Sequence, residues 1–302
     1  MSINHLNKPG RFWKGNLHTH STKSDGCMSP AEICTAYRDE GYHFLCISDH
    51  FLERFNWPIT DATQDAPDGL TLLRGAEVHA PANSHDELWH LLAVGLPAGF
   101  APPLADEDAS QLARRCLAEG AFLTIAHPEW SGLTLDDAAA IPEAHAVEVY
   151  NHTSAVHAAR GGGSYYLDAL LNAGRRINAL ASDDAHFNIV DRPMADAFGG
   201  WVMVRAEANT PVAILAALKE GAYYSSRGPD FETVRQSGGF LEISCSPVDH
   251  ITILGRGSRV ERIHGKGMTD AKLPLDRFNG DWARVVLTDT NGAQAWSNPF
   301  WP

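Results

Sequence analysis

The chain is short of the features that mark secreted, membrane-spanning or nucleic-acid-coating proteins. Only five cysteines occur in 302 residues (Cys27, Cys34, Cys46, Cys116 and Cys245), and no two form C-x-x-C. An odd, dispersed set argues against a disulfide framework or a thiolate zinc site. Cys46, inside Phe44-Leu45-Cys46-Ile47, reads as a small core residue. No run approaches the roughly 18 consecutive apolar residues that a membrane-spanning helix needs. The opening Met1-Ser2-Ile3-Asn4-His5-Leu6-Asn7-Lys8 has no apolar signal-peptide core, so a cytoplasmic location is expected. Basic residues are scarce as well: 24 Lys and Arg against 37 Asp and Glu give a net charge of −13. That balance excludes a nucleic-acid surface and an anionic-membrane surface, both of which demand a basic face. Internal repeats and low-complexity segments are also missing. What is plentiful is histidine, with 15 residues.

The first three-quarters of the chain alternates short apolar runs with capped helical patterns. Trp13–His18 reads as a strand. Ser29-Pro30-Ala31-Glu32 follows as a helix start, with Ser as N-cap, Pro at the first turn and Glu closing a capping box, and Gly41 is the stop. Further strands are predicted at Phe44–Ser48, Leu70–Val78, Leu88–Val94, Phe122–Ala126, Ala146–Tyr150, Ile177–Ala181 and Trp201–Arg205. Helices are predicted at Glu107–Glu119, from a Ser164 cap to near Gly174, and from Thr210-Pro211 to Gly221. Such alternation implies βα units and a parallel sheet or barrel. From Phe240 onward only β-rich runs remain (Leu241–Ser244, Ile251–Leu254, Ala283–Thr288), separated by turn signals at Gly255-Arg256-Gly257 and Asn291-Gly292. Residues 1–230 are therefore expected to form one scaffold and 231–302 a small antiparallel β appendage.

Chemistry-bearing residues collect at the predicted strand ends. The first strand runs into His18-Thr19-His20, with Asp25 soon after; the second ends in Ser48-Asp49-His50. The third carries Glu77, the fourth begins near His90, and the fifth ends in His127-Pro128. Ile177–Ala181 leads into Ser182-Asp183-Asp184-Ala185-His186. In a βα barrel these ends converge on one mouth. Acid–base catalysis does not require so many imidazoles and carboxylates together, whereas clustered metal ions do. On extended chain, His18-x-His20 and Asp184-x-His186 each point two donors to one side. Mixed His and carboxylate donors without thiolate suit manganese, zinc or iron, and two or three such ions can activate a bridging hydroxide.

These motifs resemble the PHP (polymerase and histidinol phosphatase) family of metal-dependent phosphoesterases. Asn16-Leu17-His18-Thr19-His20-Ser21 with Ser24-Asp25-Gly26 is similar to the family's opening signature. Ser48-Asp49-His50, Gly75-Ala76-Glu77, His127-Pro128 and Ser182-Asp183-Asp184-Ala185-His186 resemble its later motifs, in order, over roughly residues 13–230. The resemblance implies a distorted (β/α)7-type barrel. It implies one metal held by His18, His20, Glu77 and Asp184, and a second held by Asp25, His50 and His186. Glu77 would bridge to a third, completed by His90 and His127, and Glu77 and Asp184 would hold the attacking hydroxide. Glu220 to Pro229 and Trp296-Ser297-Asn298-Pro299 resemble a branch with a small C-terminal β domain, which is also similar to metallohydrolases of carbamate esters.

Asp183 and Asp49 are expected to orient ligands or cap turns. His79, His85, His145, His157, His250 and His264 are expected to be ordinary structural or surface histidines. A phosphate would want a cation on its spare oxygens, and Lys23, Arg160, Arg192 and Arg227 lie on loops near the expected mouth. Asn151 and His152, directly after a strand, are further candidates for substrate contact. The expected activity is hydrolysis of a small anionic phosphate ester, a nucleotide or sugar phosphate, mono- or diester. Alternatives are a hydrolase of carboxyl or carbamate esters on the same metals, and a non-catalytic metal-stabilised binding module.

Overall fold

The computed structural model describes residues 3–302. Met1 and Ser2, part of the opening segment read for a signal core, lie outside the described residues. The elements in chain order are β1 (Arg11–Asn16), α1 (Pro30–Asp39), β2 (Phe44–Ile47), β3 (His50–Phe51), β4 (Thr71–Ala80), β5 (Trp89–Val94) and α2 (Ala109–Ala118). There follow β6 (Phe122–Ile125), α3 (Leu135–Ala139), β7 (Ala146–Asn151), α4 (His152–Ala158), α5 (Ser164–Asn172), β8 (Asn178–Ser182), β9 (Trp201–Ala206) and α6 (Pro211–Lys219). The chain finishes with β10 (Tyr223–Ser226), β11 (Phe231–Ser237), β12 (Phe240–Gly255), β13 (Val260–Pro274), β14 (Ala283–Thr288) and β15 (Gln294–Ser297). Among the described residues, no helix is long and apolar enough to cross a membrane.

Local signals explain most starts and stops. Ser29 Oγ accepts from the Glu32 amide while Glu32 accepts from the Ser29 amide, the reciprocal capping box that launches α1. Asp108 with Gln111 and Thr134 with Asp137 do the same for α2 and α3. Thr210 caps α6, and Gly221 beyond its end takes a left-handed φ of +72°, which glycine adopts without steric cost. The predicted Ser164 cap is displaced by one residue. Gly163 is the N-cap of α5, and a Cβ there would lie 1.9 Å from the Glu148 carbonyl oxygen, so the position needs glycine.

The strands join in one mixed sheet, ordered β11-β12-β14-β15-β10-β9-β1-β2-β4-β5-β6-β7-β8, with β13 on β12 and β3 on β4. The expected distorted barrel does not close, because the strand ladder is open. β8 ends it, and β10 approaches β8 through a side chain instead of a backbone ladder. Ser225 Oγ accepts from the Ala181 amide and donates to the Ala179 carbonyl. Nor is the sheet parallel throughout. β1, β2 and β4 run parallel, as do β6, β7 and β8, but β5 is antiparallel to both neighbours and β9 to β1. The connection from β4 to β5 has no crossover helix, so the two strands return as a hairpin.

Apolar cores lie on both sides of this sheet. One, including Leu91, Leu123, Val147 and Leu167, packs α2 and α5 against β5 to β7. Another, including Phe231, Ile251, Val285 and Leu287, sits among β11 to β15. β12 and β13 form a long hairpin, although only fragments of β12 were predicted and β13 was not. β13 reads Val-Glu-Arg-Ile-His-Gly-Lys-Gly and is largely exposed, so it has no buried face to write an apolar alternation. Arg284 on β14, almost fully buried, forks onto Asp168 of α5 at 2.6 and 2.8 Å and ties these strands to the helical layer.

Candidate metal centre

The two richest motifs meet because their backbones pair. The extended segment after β1 lies parallel to the segment after β8, with Thr19 opposite Ala185. The Asp184 amide donates to the His18 carbonyl and the His20 amide to the Ala185 carbonyl. Alternation then aims His18, His20 and Asp184 to one side. Asn16 locks the junction: its amide donates to the His18 carbonyl and Tyr37 hydroxyl, and its Oδ1 accepts from the Asp183 amide. Asp183 accepts from Tyr37 and from the amides of Gly199 and Gly200, so it supports the turn, as expected. Asp184 itself has φ +58° and His127 φ +24°, left-handed values that cost energy and that the surroundings must enforce.

Register supplies the remaining donors. His50 on β3 pairs beside Glu77 on β4, and His79 on β4 faces His90 on β5. Fully buried Glu77 is the hub. Its Oε1 lies 2.7 Å from His90 Nδ1 and 3.2 Å from His127 Nε2. Its Oε2 lies 2.6 Å from His50 Nδ1, 3.5 Å from His20 Nε2 and 3.6 Å from His18 Nε2. Asp184 Oδ1 reaches His20 Nε2 at 2.9 Å and His18 Nε2 at 3.1 Å. Asp25, on the loop edge, lies 3.4 Å from His50 and 3.5 Å from His186. All nine residues predicted as ligands therefore stand in one cluster. Three donor sets with metal-binding spacing emerge: His18, His20 and Asp184; His20, Asp25, His50 and His186; and His50, Glu77, His79 and His90.

The donor chemistry fits divalent cations. His18 Nε2 and Glu77 Oε2 are buried, and their contacts at 3.1 Å to Asp184 and 2.6 Å to His50 lack hydrogen-bond geometry, an expensive state unless something cationic satisfies them. Burial alone would strip charge from these groups, yet the opposite charges dominate. Glu77 is held well below the carboxylate range by His50, His90 and His18, and Asp184 by His18 and His20. His18 is pushed well above the usual imidazole range by Asp184, Glu148 and Glu77, although burial opposes it. His20 goes the other way, down to about 4, under burial and the neighbouring His186 and His50. Carboxylates that hold protons on imidazoles so firmly equally favour a metal ion in place of those protons.

Two members were not foreseen. His79, expected to be ordinary, is buried with Nε2 3.0 Å from His50 Nδ1. The signal was available, since Glu77-x-His79 repeats the one-face spacing of His18-x-His20. Glu148, in the centre of β7, accepts from His18 Nδ1 at 2.8 Å, from the His127 amide at 2.7 Å and from Asn151 Nδ2 at 2.9 Å. A lone acid inside Ala146-Val147-Glu148-Val149-Tyr150, on a strand buried at every position, was its mark. Asp49 accepts from the Ser21 amide and the hydroxyls of Ser21, Ser24 and Thr60, which organises the loop carrying Asp25.

A cleft of about 440 Å³ opens over the cluster, lined among others by Asp25, His50, His90, Asp184 and His186. Of the proposed substrate contacts, none lines it. Lys23, Arg160 and Arg192 are exposed elsewhere, and Arg227 lies over the Tyr150 ring at 4.6 Å. Asn151 spends its amide on Glu148 and Asp184 and caps α4, while His152 Nδ1 sits 2.8 Å from the Tyr150 hydroxyl. The cleft's cation is instead Arg54, its guanidinium 4.7 Å above the Phe55 ring. Leu52, Leu88 and Trp130 form an apolar rim, with Leu88 43% and Trp130 45% exposed.

No family model matches the chain, and no curated protein matches it. Solved structures do. A two-domain protein from Bacteroides vulgatus containing a predicted PHP-like metal-dependent phosphoesterase overlaps 97% of both chains at 16% identity, with a TM-score of 0.54. A provisionally described metal-dependent phosphoesterase from Bifidobacterium adolescentis covers 57% of this chain and 87% of its own (15% identity, TM-score 0.41). An amidohydrolase from Chromobacterium violaceum with bound sulfate and no metal covers 59% and 89% (14% identity, TM-score 0.42). The last two overlap too loosely to bear on the fold. End-to-end agreement with the first, at so low an identity, speaks for architecture alone: this chain has the PHP-like fold.

Proposed function

We propose that the chain is a cytoplasmic metal-dependent phosphoesterase that hydrolyses a small anionic phosphate ester. The gathering of nine predicted ligands, buried Glu77 among them, into one cluster, with His18 and Glu77 each carrying an unsatisfied atom, carries this reading. His18, His20, Glu77 and Asp184 would hold one ion, Asp25, His50 and His186 a second, and Glu77, His90 and His127 a third, with His79 beside them. Bound divalent ions supply positive charge to phosphoryl oxygens and acidify water. The chain's own residues set the stage for that chemistry. Arg54 at the cleft wall binds a spare anionic oxygen, and the Leu52, Leu88 and Trp130 rim shields the leaving-group side from water. Glu148 and Asn151 hold His18 and Asp184 in orientation. In this reading residues 1–230 form the hydrolase and 231–302 a β-rich unit packed on it.

The test is elemental analysis of the purified protein, followed by hydrolysis of p-nitrophenyl phosphate, its diester and an aryl carbamate before and after chelation. Two or three transition metals per chain, and phosphate-ester turnover that vanishes on chelation and returns with manganese, zinc or iron, are expected. Undiminished turnover after exhaustive metal removal would sink the proposal. Turnover of the carbamate alone would replace the phosphoester with a carboxyl-type electrophile.

A further inference from the structure

A second cavity, of about 540 Å³, opens at the other end of the sheet, where β1 and β4 begin and the chain enters β2. Arg11, Trp13, Arg38, Tyr42, His43 and Asn209 are among its walls, and no carboxylate lines it. In a chain with a net charge of −13 that is a local reversal of sign. Neither guanidinium is ion-paired among the described residues, unlike Arg115, Arg256, Arg259 and Arg284.

The cations are held in place by neutral partners. Arg11 lies 3.6 Å over the Trp13 ring, a cation–π contact that orients it without neutralising it. Arg38 Nε donates to the Asp68 carbonyl at 2.8 Å, which fixes the guanidinium plane and leaves its terminal nitrogens free. His43 Nδ1 accepts the Lys14 amide at 3.2 Å, so the neutral ring carries its proton on Nε2 as a donor. Burial keeps His43 neutral, and Arg11, Arg38 and Lys14 add to that, which itself reports a positive local field. Asn209 donates to the His43 carbonyl at 2.7 Å and braces that loop.

We infer that this cavity is a binding site for a tetrahedral oxyanion, the phosphoryl group of a small molecule, separate from the metal centre. Two unpaired guanidiniums and an imidazole N–H offer donors to three oxygens, and an anion would relieve the mutual repulsion of the cations. The strand from Arg11 to His18 sets the two sites roughly 20 Å apart, at about 3.3 Å per residue.

Titration calorimetry of the full chain, stripped of metal and kept in chelator at low salt, tests this with inorganic phosphate as the probe. One saturable site per chain is expected. Its affinity should fall at least tenfold in Arg11→Met and again in Arg38→Met, and stay unchanged in Arg262→Met, an exposed arginine on β13. Arg11 and Arg38 are both exposed, so melting curves near that of the parent should confirm intact folds. Failure of the stripped chain to take up phosphate, or affinity that survives either substitution at Arg11 or Arg38, would overturn the inference. Because the metal is absent throughout, neither outcome touches the proposed hydrolase activity.

Discussion

Replacing Glu148 with glutamine probes the centre without removing a ligand. The carboxylate is buried and held below its ordinary range, mainly by His18 once the opposing effect of burial is overcome. Four donors converge on it: His18 Nδ1, Ser182 Oγ, the His127 amide and Asn151 Nδ2. Glutamine keeps the shape but turns one oxygen into an N–H donor, so one pair of contacts must clash. If the new amide faces His127 and Asn151, two buried donors lose a charged acceptor, a cost of about 3–6 kcal/mol at about 1.5–3 kcal/mol each. If it faces His18, Ser182 can rotate to accept, but the imidazole must move its proton from Nδ1 to Nε2. That proton then points at Asp184 and Glu77, where the proposed metal would need His18 as a bare nitrogen donor. The second arrangement is cheaper for the fold and worse for the site. Glu148→Gln should therefore fold yet lose about 10–100-fold in metal affinity, the range for deleting a carboxylate behind a ligating histidine. Competition against a chromophoric chelator measures it, and hydrolysis should recover partly when metal is in excess. Metal affinity within about twofold of the parent, in a folded protein, would refute the claim that Glu148 sets the His18 tautomer.

Other outcomes follow from the same geometry. Arg54→Met should raise KM for a phosphate ester about tenfold, roughly 1.4 kcal/mol, with kcat little changed; a fall in kcat at constant KM would contradict a role in binding. Asp168→Ala strands the buried Arg284 charge and should cost about 3–5 kcal/mol in denaturant unfolding. Arg284→Met leaves only a part-exposed carboxylate and should cost less, so the reverse order would be inconsistent with this burial. Gly163→Ala forces the new Cβ against the Glu148 carbonyl and should cost about 1–3 kcal/mol while also weakening metal binding through β7; a neutral substitution would disprove that close approach. Asp137 sits below its usual pKa because bonds from Thr134 and Ser84 outweigh burial. Its stabilisation is full above pH of about 4 and disappears as pH drops through the lower folded value, so Asp137→Asn should flatten the acid limb of the melting curve.

Much of this centre could be read in one dimension because its donors obey local rules. His18-x-His20 and Asp184-x-His186 share a face through strand alternation, whichever strands they pair with. The α1 capping box and the Gly221 stop are likewise written within a few residues. Closure was not legible: whether β8 and β10 meet by a backbone ladder or through Ser225 depends on strand tilt and stagger, which no local pattern encodes. β13 escaped notice because an exposed strand has no reason to alternate. Proximity to strand ends in sequence points to Lys23, Arg160, Arg192 and Arg227 as candidate phosphate contacts, yet loop paths place Arg54 in the cleft and Arg227 over Tyr150. The residue types and their spacing thus marked the candidate metal donors, His79 apart. Only the tertiary structure decided that Glu77 is their hub, that Glu148 stands behind His18, and which arginine faces the pocket, because those facts rest on register and loop paths between segments distant in the chain.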